Sequence, residues 1–111
     1  MKKPSEAAVL AACLELLRVR GVVHWRSNAG GTYYERAGGG RRYVRFNTPG
    51  ISDILCVLSP GGRLLAVECK SATGKLTAEQ TAFQEAVRRE GGQAVVIRDV
   101  LELQAILDRE V

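Results

Sequence analysis

Residues 52–70 read SDILCVLSPGGRLLAVECK. Two apolar runs flank a Ser-Pro-Gly-Gly stretch, a composition that is typical of a tight turn. The pattern predicts two antiparallel strands, 52–58 and 63–70, joined by a hairpin loop at 59–62. Because both strands are apolar on both faces, we expect helices to cover the sheet on each side.

This hairpin is expected to set two carboxylates face to face. A register that pairs Leu58 with Arg63 sets Asp53 opposite Glu68, with Cβ atoms about 4.5–5.5 Å apart. Lys70 projects from the same face because strand side chains alternate. Repulsion between two charges at ~5 Å and an effective dielectric of ~20 costs about 3 kcal/mol. Two interpretations explain how this cost is offset. In the first, Lys70 alone offsets it by forming a structural ion pair with the carboxylates. In the other, the carboxylates hold Mg²⁺ or Mn²⁺, which prefer hard oxygen ligands.

The residues outside the hairpin predict three helices and two further strands. Ser5 and Thr77 have the composition of helix N-caps, and a capping box follows Thr77. A strand–helix–strand crossover after residue 63 makes its two strands parallel. The order α-β-β-β-α-β-α therefore predicts one α/β domain, residues 1–111, with a mixed sheet flanked by helices. The predicted elements are helix 5–20, strand 22–28, strands 52–58 and 63–70, helix 77–90, strand 93–98 and helix 99–108.

A long basic segment, about residues 29–49, separates the first two predicted strands. It is rich in glycine, and we predict a loop that orders on a partner, with a short strand at 41–46 as an option. Between residues 18 and 45 the sequence has seven arginines and only Glu35 opposing them. Such a run indicates a phosphate-binding surface, and the alternative is a solvated surface.

Composition narrows the class of protein. The chain has 111 residues, of which 46% are hydrophobic and 25% charged, and a net charge of +4; these values are typical of a globular domain. No apolar run approaches the ~18 residues of a membrane span, and Glu6 and Glu15 argue against a signal peptide. Cys13, Cys56 and Cys69 lack zinc-site spacing, so we expect reduced, buried cysteines in a cytoplasmic protein with no membrane partner.

An ordered set of short motifs around the carboxylates resembles a known family. Asp53 followed by Glu68-Cys69-Lys70 resembles the PD-(D/E)XK nuclease motif, although Pro49 stands four residues before the aspartate. The wider set resembles the stand-alone virus-type replication-repair nuclease (VRR-NUC) domain from about Glu6 to Ile97. It consists of Glu6, Trp25-Arg26-Ser27-Asn28-Ala29-Gly30, Pro49-Gly50-Ile51-Ser52-Asp53-Ile54, Gly62-Arg63, Val67-Glu68-Cys69-Lys70 and Gln80.

The resemblance implies a restriction-endonuclease-like fold and metal-dependent DNA cleavage. It makes Asp53, Glu68 and the backbone carbonyl of Cys69 ligands of Mg²⁺ or Mn²⁺. It gives Lys70 the role of positioning or helping to deprotonate the attacking water, with 5′-phosphate and 3′-hydroxyl ends as products. Glu6, as a metal or water ligand, and Gln80, near Lys70, complete the implied catalytic set.

Glu6 and Gln80 also have purely structural explanations. Glu6 stands at the end of the apolar stripe of the first helix, so we expect it on the buried side of that helix. Alternatively, it is an acidic first-turn residue that interacts favourably with the helix dipole. Gln80 closes a capping box with Thr77, and this explanation does not exclude a role in the site.

Candidate DNA contacts lie at the end of the first strand and in the basic segment. We expect Arg26 and Asn28 to contact phosphate or sugar, and the alternative is that they are satisfied polar groups at a strand end. Arg41, Arg42 and Arg45 are the DNA-binding candidates of the basic segment.

The aromatic residues near these positions allow two interpretations. Trp25 is predicted in the core rather than as a platform for base stacking, and His24 as a partly exposed strand residue. Tyr33, Tyr34 and Tyr43 either stack on unpaired bases or pack within the loop.

We therefore expect a Mg²⁺- or Mn²⁺-dependent DNA endonuclease that acts on four-way junctions or other branched DNA in a bacterial or phage-infected cell. The preference for branched DNA comes from the resemblance alone. Cutting both strands of a junction favours a homodimer, formed by the basic segment or by the last helix, whose apolar stripe otherwise covers the sheet. The alternatives are a non-catalytic nucleic-acid-binding module, a flap, end-processing or restriction-type nuclease, and a protein-interaction domain.

Overall fold

The structure is a computed structural model that describes residues 2–27, 31–45 and 48–109. Its elements follow the expected order, with two additional strands inside the basic segment. They are α1 (Glu6–Val19), β1 (Val23–Arg26), β2 (Gly31–Glu35), β3 (Arg41–Arg45), β4 (Ile54–Leu58), β5 (Arg63–Cys69), α2 (Ala78–Arg89), β6 (Gln93–Ile97) and α3 (Val100–Arg109). None of the described helices is long and apolar enough to cross a membrane.

Four strands form a mixed sheet in the order β1-β4-β5-β6. The β4–β5 hairpin has the predicted register, with Leu58 opposite Arg63 and Leu55 opposite Ala66. β1 pairs antiparallel with β4, and β6 pairs parallel with β5, as the crossover through α2 requires. The expectation of a mixed sheet flanked by helices is confirmed.

The main core lies between the sheet and the pair α1 and α3. Alternate residues of β4 and β5 face this core, including Ile54 and Val67. The apolar stripe of α3 is buried here, so it covers the sheet and does not offer the dimer surface considered above. A smaller cluster on the other face packs α2 against Ala66 and Ala94.

The basic segment contains a β-hairpin where the sequence suggested a loop. β2 and β3 pair antiparallel as a separate two-stranded sheet. Aromatic and β-branched residues favour strands on both sides of the turn. Gly38, Gly39 and Gly40 all have positive φ there, a backbone region that glycine adopts without strain. Only the option of a short strand at 41–46 anticipated part of this hairpin.

The starts of the helices gather near the end of β5. Glu6, the first residue of α1, contacts Lys70 just after β5. Gln80, in the first turn of α2, contacts Glu68 near the end of β5. This end of the sheet therefore receives the positive ends of two helix dipoles.

Candidate active site

Asp53 immediately precedes β4 and is held against the end of β5. The β4–β5 ladder ends with Ile54 opposite Val67, and one further step in this register sets Asp53 opposite Glu68. The Cys69 backbone N–H donates a hydrogen bond of 2.8 Å to Asp53 Oδ2. This hydrogen bond lies just beyond the last paired residues of the two strands. It anchors the Asp53 carboxylate at the backbone between Glu68 and Lys70.

Glu68 is a buried carboxylate in an unfavourable electrostatic environment. Only 3% of the residue is exposed. Burial and the neighbouring carboxyl of Asp53 raise the pKa of Glu68 to about 8, although Lys70 acts in the opposite direction. Its Oε1 accepts a hydrogen bond of 3.2 Å from Gln80 Nε2, whereas its buried Oε2 has no hydrogen-bond partner among the described residues. Leaving a buried acceptor unpaired costs about 1–3 kcal/mol, so this oxygen is suited to a cation.

Lys70 and Glu6 form the outer side of the site. Lys70 is 9% exposed, and its Nζ lies 3.9 Å from Glu6 Oε1. The Glu6 side chain is 57% exposed, so the expectation that it lies on the buried side of α1 is wrong. The buried residues of α1 are Val9, Cys13 and Leu17, whereas Glu6 and the two alanines after it are exposed. Glu6 nevertheless reaches the edge of the site through Lys70.

Gln80 combines its two predicted roles. Its Oε1 accepts a hydrogen bond from the Thr77 backbone N–H, and its backbone N–H donates to the Thr77 hydroxyl, which completes the capping box. Its Nε2 donates to Glu68 at the same time. The start of α2 therefore fixes the side chain that holds one oxygen of the buried carboxylate.

Gly50 is a positioning residue for which the sequence analysis offered no physical role. Thr48-Pro49-Gly50-Ile51 forms a turn in which the Ile51 N–H donates to the Thr48 carbonyl and Gly50 has a φ of +78°. A Cβ at Gly50 would lie 2.2 Å from the Glu79 carbonyl oxygen, so the turn packs directly on the start of α2. The Pro-Gly pair is typical of a type II turn, and the turn could have been predicted from this pair in the sequence.

Ser27 also holds Asp53 and was likewise missed as a functional residue. Its N–H donates a 2.9 Å hydrogen bond to the Asp53 carbonyl, and its hydroxyl donates to the Ser52 carbonyl. The end of β1 thereby fixes the backbone on which the Asp53 carboxylate is mounted.

The cysteine between Glu68 and Lys70 has its side chain on the other face of the sheet. Cys69 belongs to the main core with Cys13. A hydrogen bond with Cys13, together with burial, raises the pKa of the Cys69 thiol. The thiol is therefore not near the carboxylates, and only the backbone of Cys69 reaches the site. Cys13, Cys56 and Cys69 are all free and buried, as expected.

The acidic pair offers a partial set of metal ligands. Within the described ranges, no three His, Cys, Asp or Glu side chains approach closely enough to hold a metal ion. Asp53 and Glu68 supply two carboxylates, and the structure does not bring Glu6 into a group of three with them. Two hard oxygen donors suit Mg²⁺ or Mn²⁺, since Mg²⁺ usually keeps several waters and takes further oxygens from substrate phosphates. The unpartnered Glu68 Oε2 supports this fit.

The predicted DNA-binding residues divide into two groups. Arg26 is exposed at the end of β1, close to Ser27 and the site, whereas Asn28 lies outside the described residues. Arg41 and Arg42 are exposed on β3, and Arg45 ends that strand, although its side chain lies outside the described part.

Two of the seven arginines counted in the basic run have other partners. Arg18 forms an ion pair of 2.5 Å with Glu15, and Arg20 forms one of 2.8 Å with Asp108. Both arginines lie at the end of α1, at the opposite end of the helix from Glu6. The run therefore does not form one continuous basic surface.

The aromatic residues lie at the surface. Trp25 is 48% exposed, so its prediction as a core residue is wrong; α2 packs on the inner strands and leaves the edge strand β1 uncovered. His24 is half-buried, as expected. Tyr33 and Tyr43 pack against each other with ring centroids 5.1 Å apart, and they and Tyr34 remain exposed.

Comparison with known proteins identifies the family. The family model described as the VRR-NUC domain matches residues 5–100. No curated protein matches the sequence. The matched range includes all the strands of the described residues and contains Asp53, Glu68 and Lys70, which lie at one end of the mixed sheet of a restriction-endonuclease-like fold. A nuclease domain of this kind implies DNA as the substrate, and the chain accordingly belongs to the VRR-NUC family of nucleases.

Proposed function

We propose that the protein is a Mg²⁺- or Mn²⁺-dependent endonuclease that hydrolyses phosphodiester bonds in branched DNA. The observation that carries the proposal is the placement of Asp53 against Glu68 with Lys70 beside them. A binding module needs neither a buried carboxylate with a pKa raised to about 8 nor an acidic pair facing the substrate. Burying such a carboxyl destabilises the fold, and a catalytic role explains why the carboxyl is there.

Each residue of the site has a distinct role in this proposal. Asp53 and Glu68, with the Cys69 carbonyl, would hold the cation, which supplies Lewis-acid stabilisation and acidifies water when bound. Gln80 holds Glu68 Oε1 and so orients its free oxygen. Lys70 positions the attacking water or stabilises the negative charge that develops on the phosphate. Glu6 lies beside Lys70 and orients its Nζ.

The reaction adds water across the bond between phosphorus and the 3′-oxygen. The water oxygen bonds to phosphorus, the 3′-oxygen leaves, and a proton from the water ends on that oxygen. The products are a 5′-phosphate and a 3′-hydroxyl. The starts of α1 and α2 favour the phosphate here, because helix N-termini carry partial positive charge.

The proposal also specifies the substrate structure, branched DNA, and the oligomeric state, a homodimer. One acidic site cuts one strand at a time, and resolving a four-way junction requires two nicks related by a two-fold axis. A C2 dimer supplies that symmetry directly. Since the apolar stripe of α3 is buried in the monomer, the β2–β3 hairpin is the remaining candidate for the contact.

The test compares linear duplex, single-stranded, flapped and four-way-junction DNA, each with Mg²⁺, Mn²⁺ or EDTA. We expect cleavage only with the metals and the fastest cleavage on the junction, with paired nicks when the junction is a plasmid cruciform. Sedimentation at micromolar concentration should show a dimer. A monomer that nicks one junction strand per encounter would favour a flap or end-processing nuclease, and binding without cleavage under every condition would favour the non-catalytic module.

The arginines of the hairpin should supply non-specific DNA affinity. Replacing Arg41, Arg42 and Arg45 with glutamine should weaken binding similarly for all DNA sequences. Removing one arginine–phosphate interaction should flatten the slope of log K against log salt by about 0.9, so the triple variant should flatten it by up to about 2.7. Fluorescence anisotropy across a salt series measures this slope.

A triple variant of equal charge provides the control. Arg18, Arg89 and Arg109 are exposed in the last turns of the three helices, away from the end of the sheet that carries the site. Replacing these with glutamine should leave the salt slope unchanged. If both triple variants have the same slope as the wild type, the hairpin arginines are a solvated surface.

A further inference from the structure

An exposed tryptophan stands beside the acidic pair. Trp25 is 48% exposed and its neighbour on the same face of β1, Val23, is 65% exposed. Trp25 lies opposite Leu55 in the β1–β4 pairing, and directly opposed residues share a face. Leu55 packs in the cluster under α2, so Trp25 lies on the α2 face of the sheet, beyond the edge of that helix.

The acidic pair lies on this same face. Asp53 is two residues before Leu55, and Glu68 is held by Gln80 of α2. Trp25 and Asp53 are therefore diagonal neighbours across the β1–β4 pairing. Diagonal neighbours have Cβ atoms roughly 7–8 Å apart, within reach of an aromatic side chain. The indole therefore borders the place where a bound phosphate would meet the carboxylates.

We infer that Trp25 is a stacking platform for an unpaired DNA base next to the scissile phosphate. The inference rests on the proposed nuclease function and adds its substrate selectivity to it. A base within a continuous duplex cannot stack on a protein ring, whereas a base at a junction, flap or single strand can. Trp25 thus favours DNA that is already distorted at the cut.

The surroundings of Trp25 favour a nucleic acid over a protein as its partner. Lys70 lies on the same face and at the same end of the sheet, whereas the exposed Arg26 pairs with Ile54 and projects from the other face of the strand end. A protein subunit seated on the indole would also lie against Asp53 and obstruct the entry of DNA to the carboxylates. Proteins that bind single-stranded nucleic acid combine exposed aromatic rings, on which bases stack, with a surface that holds the backbone.

Trp25 is the only tryptophan in the chain, so its fluorescence reports on this position alone. The full-length wild type in EDTA should be titrated with single-stranded, four-way-junction and linear duplex oligonucleotides, while anisotropy of labelled DNA measures binding independently. We expect strong quenching by the single-stranded and junction DNA and weak quenching by the duplex at equal saturation. If the linear duplex quenches the Trp25 fluorescence as strongly as the single-stranded and junction DNA do, the proposed selectivity is wrong.

Substitutions separate stacking from general apolar contact. Trp25→Ala should weaken single-strand binding by roughly 5- to 150-fold, the equivalent of 1–3 kcal/mol per stacked base. Trp25→Phe should recover most of this loss, whereas Trp25→Leu, which is apolar but not flat, should not. Val23→Ala, on the same face but one step farther from Asp53, is the matched control and should bind as the wild type does.

The outcomes distinguish this inference from the proposed function. Stacking would be refuted, and the nuclease left intact, by the following result. The wild type cleaves DNA with Mg²⁺, its fluorescence is not quenched by DNA, and Trp25→Ala binds DNA with unchanged affinity. Quenching without cleavage under any metal condition would refute the nuclease and leave the stacking site. If the fluorescence of the wild type changes with protein concentration in the absence of DNA, and sedimentation shows that Trp25→Ala no longer dimerises, the surface would belong to the contact with a second copy of the chain instead.

Discussion

Replacing Asp53 with asparagine should abolish DNA cleavage and yet raise the melting temperature of the metal-free protein. The amide oxygen can still accept the hydrogen bond from the Cys69 N–H, but the repulsion with Glu68 disappears. If the variant gains about 1 kcal/mol of stability, its melting temperature should rise by roughly 4 °C. Mg²⁺ should then stabilise the wild type and not the variant, because the variant would have only one of the two carboxylates that we propose as metal ligands. Thermal melts with EDTA or Mg²⁺ measure both effects.

The pH dependence of this gain has a definite sign. Glu68 has a folded-state pKa of about 8 against an ordinary value of 4.5, so the folded chain retains its proton longer than the unfolded chain. The stability associated with this carboxyl is complete below about pH 4.5 and is lost as the pH rises towards 8. Without metal, the melting temperature difference between Asp53→Asn and the wild type should therefore be small near pH 5 and large near pH 8.

Asp108→Asn is the matched control for this substitution. Asp108 is an exposed aspartate that pairs with Arg20 at the other end of α1, so its replacement should leave cleavage unchanged and should not raise the melting temperature. Cleavage by Asp53→Asn at the wild-type rate would show that the acidic pair is not the catalytic centre.

Replacing Lys70 with alanine should reduce the cleavage rate at least ~100-fold while changing DNA affinity little. Its Nζ lies on the face of the two carboxylates and is expected to interact mainly with the charge that develops in the transition state. Single-turnover cleavage measures the rate, and anisotropy in EDTA measures the affinity. We expect the dissociation constant to rise by less than about fivefold, the equivalent of roughly 1 kcal/mol.

Two variants make this prediction specific. Lys70→Met keeps most of the buried stem, so it separates loss of the amine from loss of packing and should show the same loss of rate. Lys75→Ala removes an exposed lysine from the same connection between β5 and α2 and should cleave normally. Equal losses of affinity and rate in Lys70→Ala would make Lys70 an ordinary phosphate-binding residue.

Much of the site was predictable because its geometry follows from local rules. The turn after Leu58 and the alternation of strand side chains set Glu68 and Lys70 on one face and Cys69 on the other. The capping box of α2 likewise depends only on Thr77 and Gln80. Interactions between residues close in sequence, or related by one hairpin, leave little freedom once the strands are recognised.

The basic segment was harder to interpret. Its glycines suggested a loop, with a short strand only at 41–46, although the β-branched and aromatic residues Thr32 to Tyr34 also favour a strand. The turn residues Gly38 to Gly40 are the point where the chain reverses, and the aromatic residues on both sides then pair across it. A pattern of this length is compatible with either a loop or a hairpin until the pairing of the two strands is known.

The sequence by itself determined the α/β order, the hairpin register and the approach of Asp53 to Glu68, because these depend on alternation, turns and caps. Only the tertiary structure decided which of the remaining polar and aromatic residues are exposed. Trp25 is exposed because α2 does not reach β1, and Arg20 is neutralised by Asp108, 88 residues away. The raised pKa of Glu68 likewise follows first from burial. Burial depends on how separate elements pack together, and no local pattern specifies that packing.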